Sequence, residues 1–235
     1  MSSLSDTVTF PTESDDWILT IIIGGVLTLF AFLLIPLFLV YGYLMEVIRD
    51  RTAGEAEPPT FEEWGQLLVD GVQAFVIGFV YMLIPIVVAG VTIGGAIVSI
   101  AAGTEAGIAA GLGGLFVGFG ISFLLALIFS YVAVVALVNF AREEEFGAGF
   151  DVGVIKAVAL HRDYAIAWLL SIGLFIVAGA IASILNVVPF LGTALGALVT
   201  FYVSIVAAAL WADGFADAVG RQETVDHATV EESTV

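Results

Sequence analysis

The sequence predicts an all-α integral membrane protein: a polytopic bundle of five transmembrane helices with two amphipathic elbow helices on the cytoplasmic side. Two features indicate this class. Hydrophobic residues make up 60% of the 235-residue chain and charged residues only 12%, a composition too apolar for a soluble domain. The apolar residues also form uninterrupted runs long enough to cross a hydrocarbon core of about 30 Å.

The chain begins with a polar segment, residues 1–16, that is rich in Ser, Thr and Asp and has no hydrophobic periodicity. We predict a flexible extracytoplasmic tail there. The segment contains no basic residue and the apolar run after it is long, so it does not resemble a cleavable signal peptide. At the other end, residues 220–235 predict an acidic cytoplasmic tail.

Five apolar runs predict the spans of a single transmembrane domain, residues 17–219. Pro36 predicts a kink within the first run, and Asn186 with Pro189 predicts a short turn before the last. The predicted spans are about 17–45, 72–102, 106–141, 165–185 and 190–219.

Two polar segments, about 60–71 and 150–164, predict amphipathic elbow helices at the membrane interface. In the first segment, Thr60 followed by Glu63 fits a capping box that would start a helix. Apolar side chains then follow at helical spacing and share one face. We expect that face to meet lipid headgroups or a partner. Its residues are Phe61, Trp64, Leu67 and Leu68.

The segment from Tyr41 to Gly71 also resembles a known family signature. The matching residues are Gly42-Tyr43-Leu44, Arg49, Ala53-Gly54-Glu55, Pro58-Pro59, Phe61, Trp64-Gly65, Leu67 and Asp70-Gly71. This order resembles a domain-of-unknown-function family of archaeal, haloarchaeal-type integral membrane proteins. The resemblance implies an archaeal multi-pass protein, and it implies no activity, ligand or catalytic residue.

The basic residues predict an orientation in the cell membrane. If the chain crosses five times, all six Lys and Arg residues fall on one side. The positive-inside rule places that side in the cytoplasm. We therefore predict that the N-terminus lies outside and the C-terminus in the cytoplasm.

The strong acidic excess, a formal charge of −17 at pH 7, suits concentrated salt, because screening reduces the self-repulsion. It predicts a halophilic source and argues against binding to nucleic acid, whose phosphates require basic partners. The chain has no cysteine, which excludes disulfides and thiolate chemistry.

Motifs for catalysis or metal binding are missing from the sequence. It has two histidines and no HExxH or zinc-ligand spacing, so we predict no enzyme and no cofactor. Asp213 and Asp217 share one helix face and are weak candidates for a cation site. The ordinary interpretation of these two acids is that they are solvated.

Glycines spaced four apart predict close helix packing within the apolar runs. We expect them to pack within one bundle, and homodimerisation through Gly107 to Gly118 is the alternative. The pairs are Gly90 and Gly94, Gly107 and Gly111, Gly114 and Gly118, and Gly192 and Gly196.

These features together predict a non-enzymatic component that organises membrane lipid or docks a protein partner on the cytoplasmic side; a homo-oligomer remains open. The alternative is a channel or carrier for a small solute. A continuous row of polar side chains across the bilayer would favour transport. A sealed apolar bundle with an exposed cytoplasmic groove would favour docking.

Overall fold

The computed structural model describes the backbone of residues 4–188 and 190–233 and the side chains of residues 4–188 and 190–220. All its regular elements are helical, which confirms the predicted all-α class. Short 3-10 helices lie at Phe10–Thr12 and Phe146–Phe150. The α-helices are α1 (Leu4–Thr9), α2 (Trp17–Leu29), α3 (Leu34–Ala53), α4 (Trp64–Ala101), α5 (Glu105–Glu143), α6 (Val152–Ala159), α7 (Arg162–Leu185) and α8 (Leu191–Ser233).

The chain forms two compact units. The larger unit contains residues 1–75 and 135–235, and the smaller unit contains residues 76–134. Pro189 and the side chains of the predicted acidic tail beyond residue 220 lie outside the described residues.

Four helices, α4, α5, α7 and the first 30 residues of α8, are long and apolar enough to cross a membrane. Each contains 24 or more residues, and about 20 residues suffice for a hydrocarbon core of about 30 Å. The protein is therefore a multi-pass membrane protein, as the sequence predicted, with four candidate spans among the described residues where five were predicted.

The first predicted span, residues 17–45, is wrong as a single helix. The chain turns between Leu29, the end of α2, and Leu34, the start of α3. Pro36 lies in the first turn of α3. The N–H that proline lacks would have no helical acceptor in that turn, so Pro36 begins a helix and does not kink one.

Helices α2 and α3 run antiparallel to each other, and both pack against α8. A Cβ on Gly24 of α2 would lie 2.0 Å from the ring of Phe201 on α8. The ring centroid of Tyr43 on α3 lies 5.4 Å from that of the same Phe201. The two helices are thus the two arms of one hairpin, called the α2–α3 hairpin below.

The N-terminal segment is ordered against the larger unit, so the prediction of a flexible tail is wrong for the helical residues 4–12. Phe10 is fully buried, and the guanidinium carbon of Arg51 lies 4.9 Å from its ring centroid. The Thr7 hydroxyl donates to Asp213 on α8 at 3.4 Å. The segment therefore lies at the same end of the unit as Arg51 and Asp213, and not at the opposite end as five spans required.

The two predicted elbows differ from each other in the structure. The first is not a separate helix, because α4 begins at Trp64 and continues without a break to Ala101. The second contains the short helix α6, which Asp151 caps by accepting hydrogen bonds from the backbone N–H groups of Gly153 at 2.8 Å and Val154 at 3.2 Å. Such a cap satisfies two of the donors that a helix start leaves without intrahelical partners.

Helix α8 provides much of the core of the larger unit. More than half of its buried residues are alanine or phenylalanine, a pairing that lets neighbouring helices approach closely while rings fill the gaps. Phe201 and Phe215 are fully buried, and so are Ala207, Ala208, Ala209 and Ala212 between them.

The smaller unit is an antiparallel pair made from the C-terminal part of α4 and the N-terminal part of α5. Glycines of α5 face α4 directly. A Cβ on Gly111 would lie 2.7 Å from the carbonyl oxygen of Ala96, and one on Gly118 would lie 2.7 Å from the Cβ of Thr92. Only a residue without a side chain fits such a close approach.

Candidate functional site

The charged groups of the larger unit gather at one end of it. We call this the polar end. Arg51 at the end of α3 donates to both carboxylate oxygens of Asp213, at 2.9 and 3.2 Å. The polar end is contributed by α1, α3, α4, α5, α7 and α8 and consists of Thr7, Arg49, Arg51, Asp70, Arg142, Asp163 and Asp213.

A second ion pair at the polar end joins α3 to the start of α4. Arg49 donates to Asp70 at 3.0 Å, and Gln66 donates to the other oxygen of that carboxylate at 2.8 Å. Asp70 is 4% exposed. A carboxylate buried to this extent requires such partners, because an unpaired buried charge is costly. Arg49 also donates to the carbonyl of Ala141 on α5 at 3.2 Å, so one side chain links three helices.

Glu46, one helical turn before Asp50 on α3, is the unusual acid of this region. Its Oε2 atom is buried and makes no hydrogen bond to the described residues. Burial, together with the negative charge of Asp50 and against the opposing effect of Arg49, raises the pKa of Glu46 to about 7. Burial likewise raises the pKa of Asp50. Glu46 therefore changes its protonation state near neutral pH.

The family-like segment from Tyr41 to Gly71 forms the corner between α3 and α4, where two glycines allow the backbones to touch. A Cβ on Gly42 would lie 1.8 Å from the carbonyl oxygen of Leu67, and one on Gly71 would lie 1.7 Å from the carbonyl oxygen of Phe38. No side chain fits at either position. Between the two helices, Gly54 adopts φ +92° and ends α3, a conformation that glycine adopts at little cost.

Aromatic stacking closes the same corner. Tyr43, which is fully buried, stacks on Phe61 with ring centroids 4.3 Å apart, and its hydroxyl donates to the carbonyl of Pro59 at 3.1 Å. Phe61 in turn lies 5.6 Å from Trp64. Gly42, Tyr43, Phe61, Leu67 and Gly71 of the signature are thus parts of one tightly packed corner.

The four predicted elbow residues do not form one exposed face. Phe61 is 9% exposed and Leu67 is 2% exposed, whereas Trp64 is 43% exposed; Leu68 is intermediate. Phe61 and Leu67 therefore belong to the core, and Trp64 is the member with the largest free surface. Two of the four residues predicted to meet lipid headgroups or a partner are therefore buried against this chain itself.

The weak cation candidates, Asp213 and Asp217, do not form a metal site in the described part of the chain. Asp213 is occupied by the guanidinium of Arg51. Among the described residues, no group of three or more His, Cys, Asp or Glu side chains is placed to hold a metal ion. Both acids instead line a small cavity of about 90 Å³, which α1 covers with Leu4 and Thr7.

The predicted packing glycines have different environments. Gly107, Gly111 and Gly118 face helix α4 of the same chain, and Gly196 faces Ala182 on α7. A Cβ on Gly192 would lie 1.9 Å from the carbonyl oxygen of Leu185, and one on Gly114 would lie 3.6 Å from Ala96. Helix α4 of the same chain thus contacts the Gly107 to Gly118 face, and homodimerisation through this face stays a prediction. A Cβ on Gly90 or on Gly94 would meet no described atom within 4 Å.

An open groove of about 560 Å³ lies beside the polar end, on the segment that joins α5 to α6. Asn139 is 2% exposed; its amide group donates to the carbonyl of Ala148 at 2.8 Å, and its Oδ1 atom makes no hydrogen bond to the described residues. Every charged side chain of the groove is an acid. The lining residues are Asn139, Glu143, Glu145, Gly147, Ala148, Asp151 and Val154.

Sequence reasoning did not identify this groove or the contacts of the N-terminal segment. The run Glu143-Glu144-Glu145 signalled a charged loop, but the fold brings Asn139 and Asp151 to it. The contact between Thr7 and Asp213 joins residues 206 positions apart, and no local pattern encodes such a pairing.

Comparison with known proteins supports one family assignment. A family model described as a protein of unknown function, DUF4013, matches residues 17–187. No curated protein and no solved structure matches the chain. The matched region covers more than half of the chain and includes the whole corner from Tyr41 to Gly71, so the resemblance to a domain-of-unknown-function family is confirmed. The chain belongs to the DUF4013 family of proteins of unknown function.

Proposed function

We propose that this protein is a non-enzymatic membrane component that docks a Lys- or Arg-bearing segment of a partner protein in the groove beside its polar end. The groove faces the cytoplasm in this proposal, because basic residues such as Arg49, Arg51 and Arg142 lie at that end and the positive-inside rule places them there. The composition and the family resemblance favour the cell membrane of a halophilic archaeon as its setting.

The groove of about 560 Å³ is the observation that carries the proposal. Its polar side-chain groups are mainly acceptors. Glu143 is paired with Arg142, and one oxygen of Asp151 caps α6. Glu145, which forms no ion pair with the described residues, the second oxygen of Asp151 and the amide oxygen of Asn139, which has no described partner, remain for a ligand. Guanidinium and ammonium groups carry donors only. Their hydrogen bonds to carboxylates are charge-assisted and roughly twice as strong as neutral ones.

The interior of the larger unit supports docking over transport. Among the residues described, Thr20 on α2 and Ser171 on α7 are its buried polar residues within the apolar segments, and the hydroxyl oxygen of Thr28 on α2 is buried as well. Ser171 is used within the bundle, because it accepts a hydrogen bond from the indole N–H of Trp211 at 2.9 Å. Alanine and phenylalanine side chains of α8 fill much of the remaining interior of the larger unit. Such an interior provides no row of polar groups for a hydrated solute.

A binding measurement with a defined probe tests the proposal. The full chain in lipid nanodiscs is titrated with a fluorescent lysine-rich peptide while its anisotropy is recorded. Glu145 is exposed and forms no ion pair with the described residues, so Glu145→Lys changes the groove without breaking the fold. We expect this variant to raise Kd about tenfold or more, equivalent to about 1.4 kcal/mol.

Glu57→Lys is the matched control, since it makes the same charge change on the exposed α3–α4 linker, outside the groove. Its Kd should equal that of the unmodified chain. Equal weakening by both variants would mean that only net charge is sensed and would refute the groove. Flux of a small solute into liposomes that requires the protein would favour the channel or carrier instead.

A further inference from the structure

We infer that the α2–α3 hairpin enters the bilayer from the polar end, extends to about the level where α8 begins with its apolar tip among lipid acyl chains, and returns to the polar end. The N-terminal segment then lies on the same side of the membrane as the polar end. This inference is independent of the groove and concerns a different surface: the tip, residues 30–35.

Contacts at both ends of the hairpin establish that its two arms start and finish together. Before α2, Phe10 lies under the guanidinium of Arg51, near the end of α3. The hydroxyl of Tyr202 on α8 donates to the carbonyl of Val8 at 2.7 Å, which also fastens the N-terminal segment to this region. Toward the tip, Gly25 of α2 approaches Leu198 of α8 so closely that a Cβ would lie 2.3 Å from its side chain.

The arms reach from the polar end to about the start of α8. At one end Arg51 pairs with Asp213, and toward the other end Gly25 lies against Leu198, seven residues after the first residue of α8. The tip begins five residues beyond Gly25, so it lies near the level of Leu191, about 30 Å from Asp213 at 1.5 Å per residue.

The composition of the tip requires an apolar environment. Every residue of the tip is apolar, and Phe32, Leu33, Leu34 and Ile35 are 76%, 53%, 59% and 64% exposed in the isolated chain. A turn that faces water normally carries Gly, Asn, Asp or Ser. If these side chains faced water, the protein would lose about 25 cal/mol of stabilisation for each Å² of apolar surface left exposed.

Cysteine labelling tests which side the N-terminal segment occupies. The chain contains no cysteine, so each introduced thiol is unique. Sealed vesicles are treated with a membrane-impermeant maleimide before and after permeabilisation. We expect Ser5→Cys on α1 and Glu57→Cys on the α3–α4 linker to react from one side, and Val187→Cys between α7 and α8 to react from the other. Reaction of Ser5→Cys together with Val187→Cys would overturn the inference.

A second measurement tests what covers the tip. Phe32→Cys carrying an environment-sensitive fluorophore is reconstituted into liposomes that contain lipids with nitroxide groups on their acyl chains. We expect blue-shifted emission and at least twofold stronger lipid quenching than for the same fluorophore at Glu57→Cys. Quenching by aqueous iodide equal to that at Glu57→Cys would overturn the inference. Blue-shifted emission that resists the lipid quencher and depends on protein density would assign the surface to a second copy and would also overturn it.

Discussion

Arg51 and Asp213 are 162 positions apart in the sequence and form a two-pronged ion pair, with Nε 2.9 Å from Oδ1 and a terminal guanidinium nitrogen 3.2 Å from Oδ2. The pair connects the end of α3 to α8 at the level where the apolar core ends. Both side chains are mostly shielded, at 14% and 25% exposure. It is therefore a stronger contact than an ordinary surface ion pair.

Removing the charge of Asp213 should loosen the polar end. In Asp213→Asn the partly buried guanidinium of Arg51 loses its counter-charge, and we expect the free energy of unfolding to fall by about 1–3 kcal/mol. Thermal unfolding in detergent, followed by circular dichroism, measures this. Asp217→Asn, one helical turn further along α8, is the control and should change stability by less than about 0.5 kcal/mol. Equal effects of the two variants would contradict the assigned role.

A methyl group at Gly71 should disrupt the corner between α3 and α4. The added carbon would overlap the carbonyl of Phe38, whose backbone cannot move without shifting α3. We expect Gly71→Ala to lower the free energy of unfolding by about 3 kcal/mol or more, as severe overpacking does. Gly65→Ala on the same helix has open space and should be neutral or stabilising by up to about 1 kcal/mol. A tolerated Gly71→Ala would show that the corner packs less closely.

The hydroxyl of Tyr43 should contribute a measurable hydrogen bond. Tyr43→Phe keeps the stack on Phe61 but leaves the carbonyl of Pro59 without its donor, so we expect a loss of about 1 kcal/mol. Tyr41→Phe is matched to it, because the hydroxyl of Tyr41 makes no hydrogen bond to the described residues. If both variants unfold at the same temperature, the bond to Pro59 contributes nothing.

Glu46 should make stability depend on pH. Its pKa rises from 4.5 to about 7 on folding, so between these values the folded state binds more protons than the unfolded state. Stability from this group is therefore complete below about pH 4.5 and decreases as pH rises to about 7. Unfolding followed from pH 5 to 8 should show this decrease, and Glu46→Gln should remove it. A decrease of the same size in the variant would assign the effect to other groups.

The sequence was sufficient to predict helices, membrane insertion and family membership. It failed at residues 30–33, because a turn inside lipid uses the same apolar residues as a span and leaves no gap in hydropathy. Pro36 was the available signal, since proline favours the first turn of a helix as well as a kink.

The sequence also did not predict which distant residues pair with each other. The predicted spans placed Arg49 and Arg51 on one side of the membrane, but their carboxylate partners, Asp70 and Asp213, follow from how α3, α4 and α8 cross. Gly42 and Gly71 stood out within the signature, although only the structure shows that each accommodates a carbonyl oxygen. The burial of Phe10 also went unpredicted, because α1 is too short to display a period.

The hydrogen bond between Thr7 and Asp213 cannot form until the ribosome has synthesised most of the chain. The two residues leave the ribosome 206 positions apart, an interval of about 10–40 s at 5–20 residues per second. Throughout that interval Phe10 and the α2–α3 hairpin lack the α8 surface that finally covers them, whereas residues 76–134 already have all their own packing partners. The smaller unit can thus mature during translation, and the larger unit must wait for the last helix.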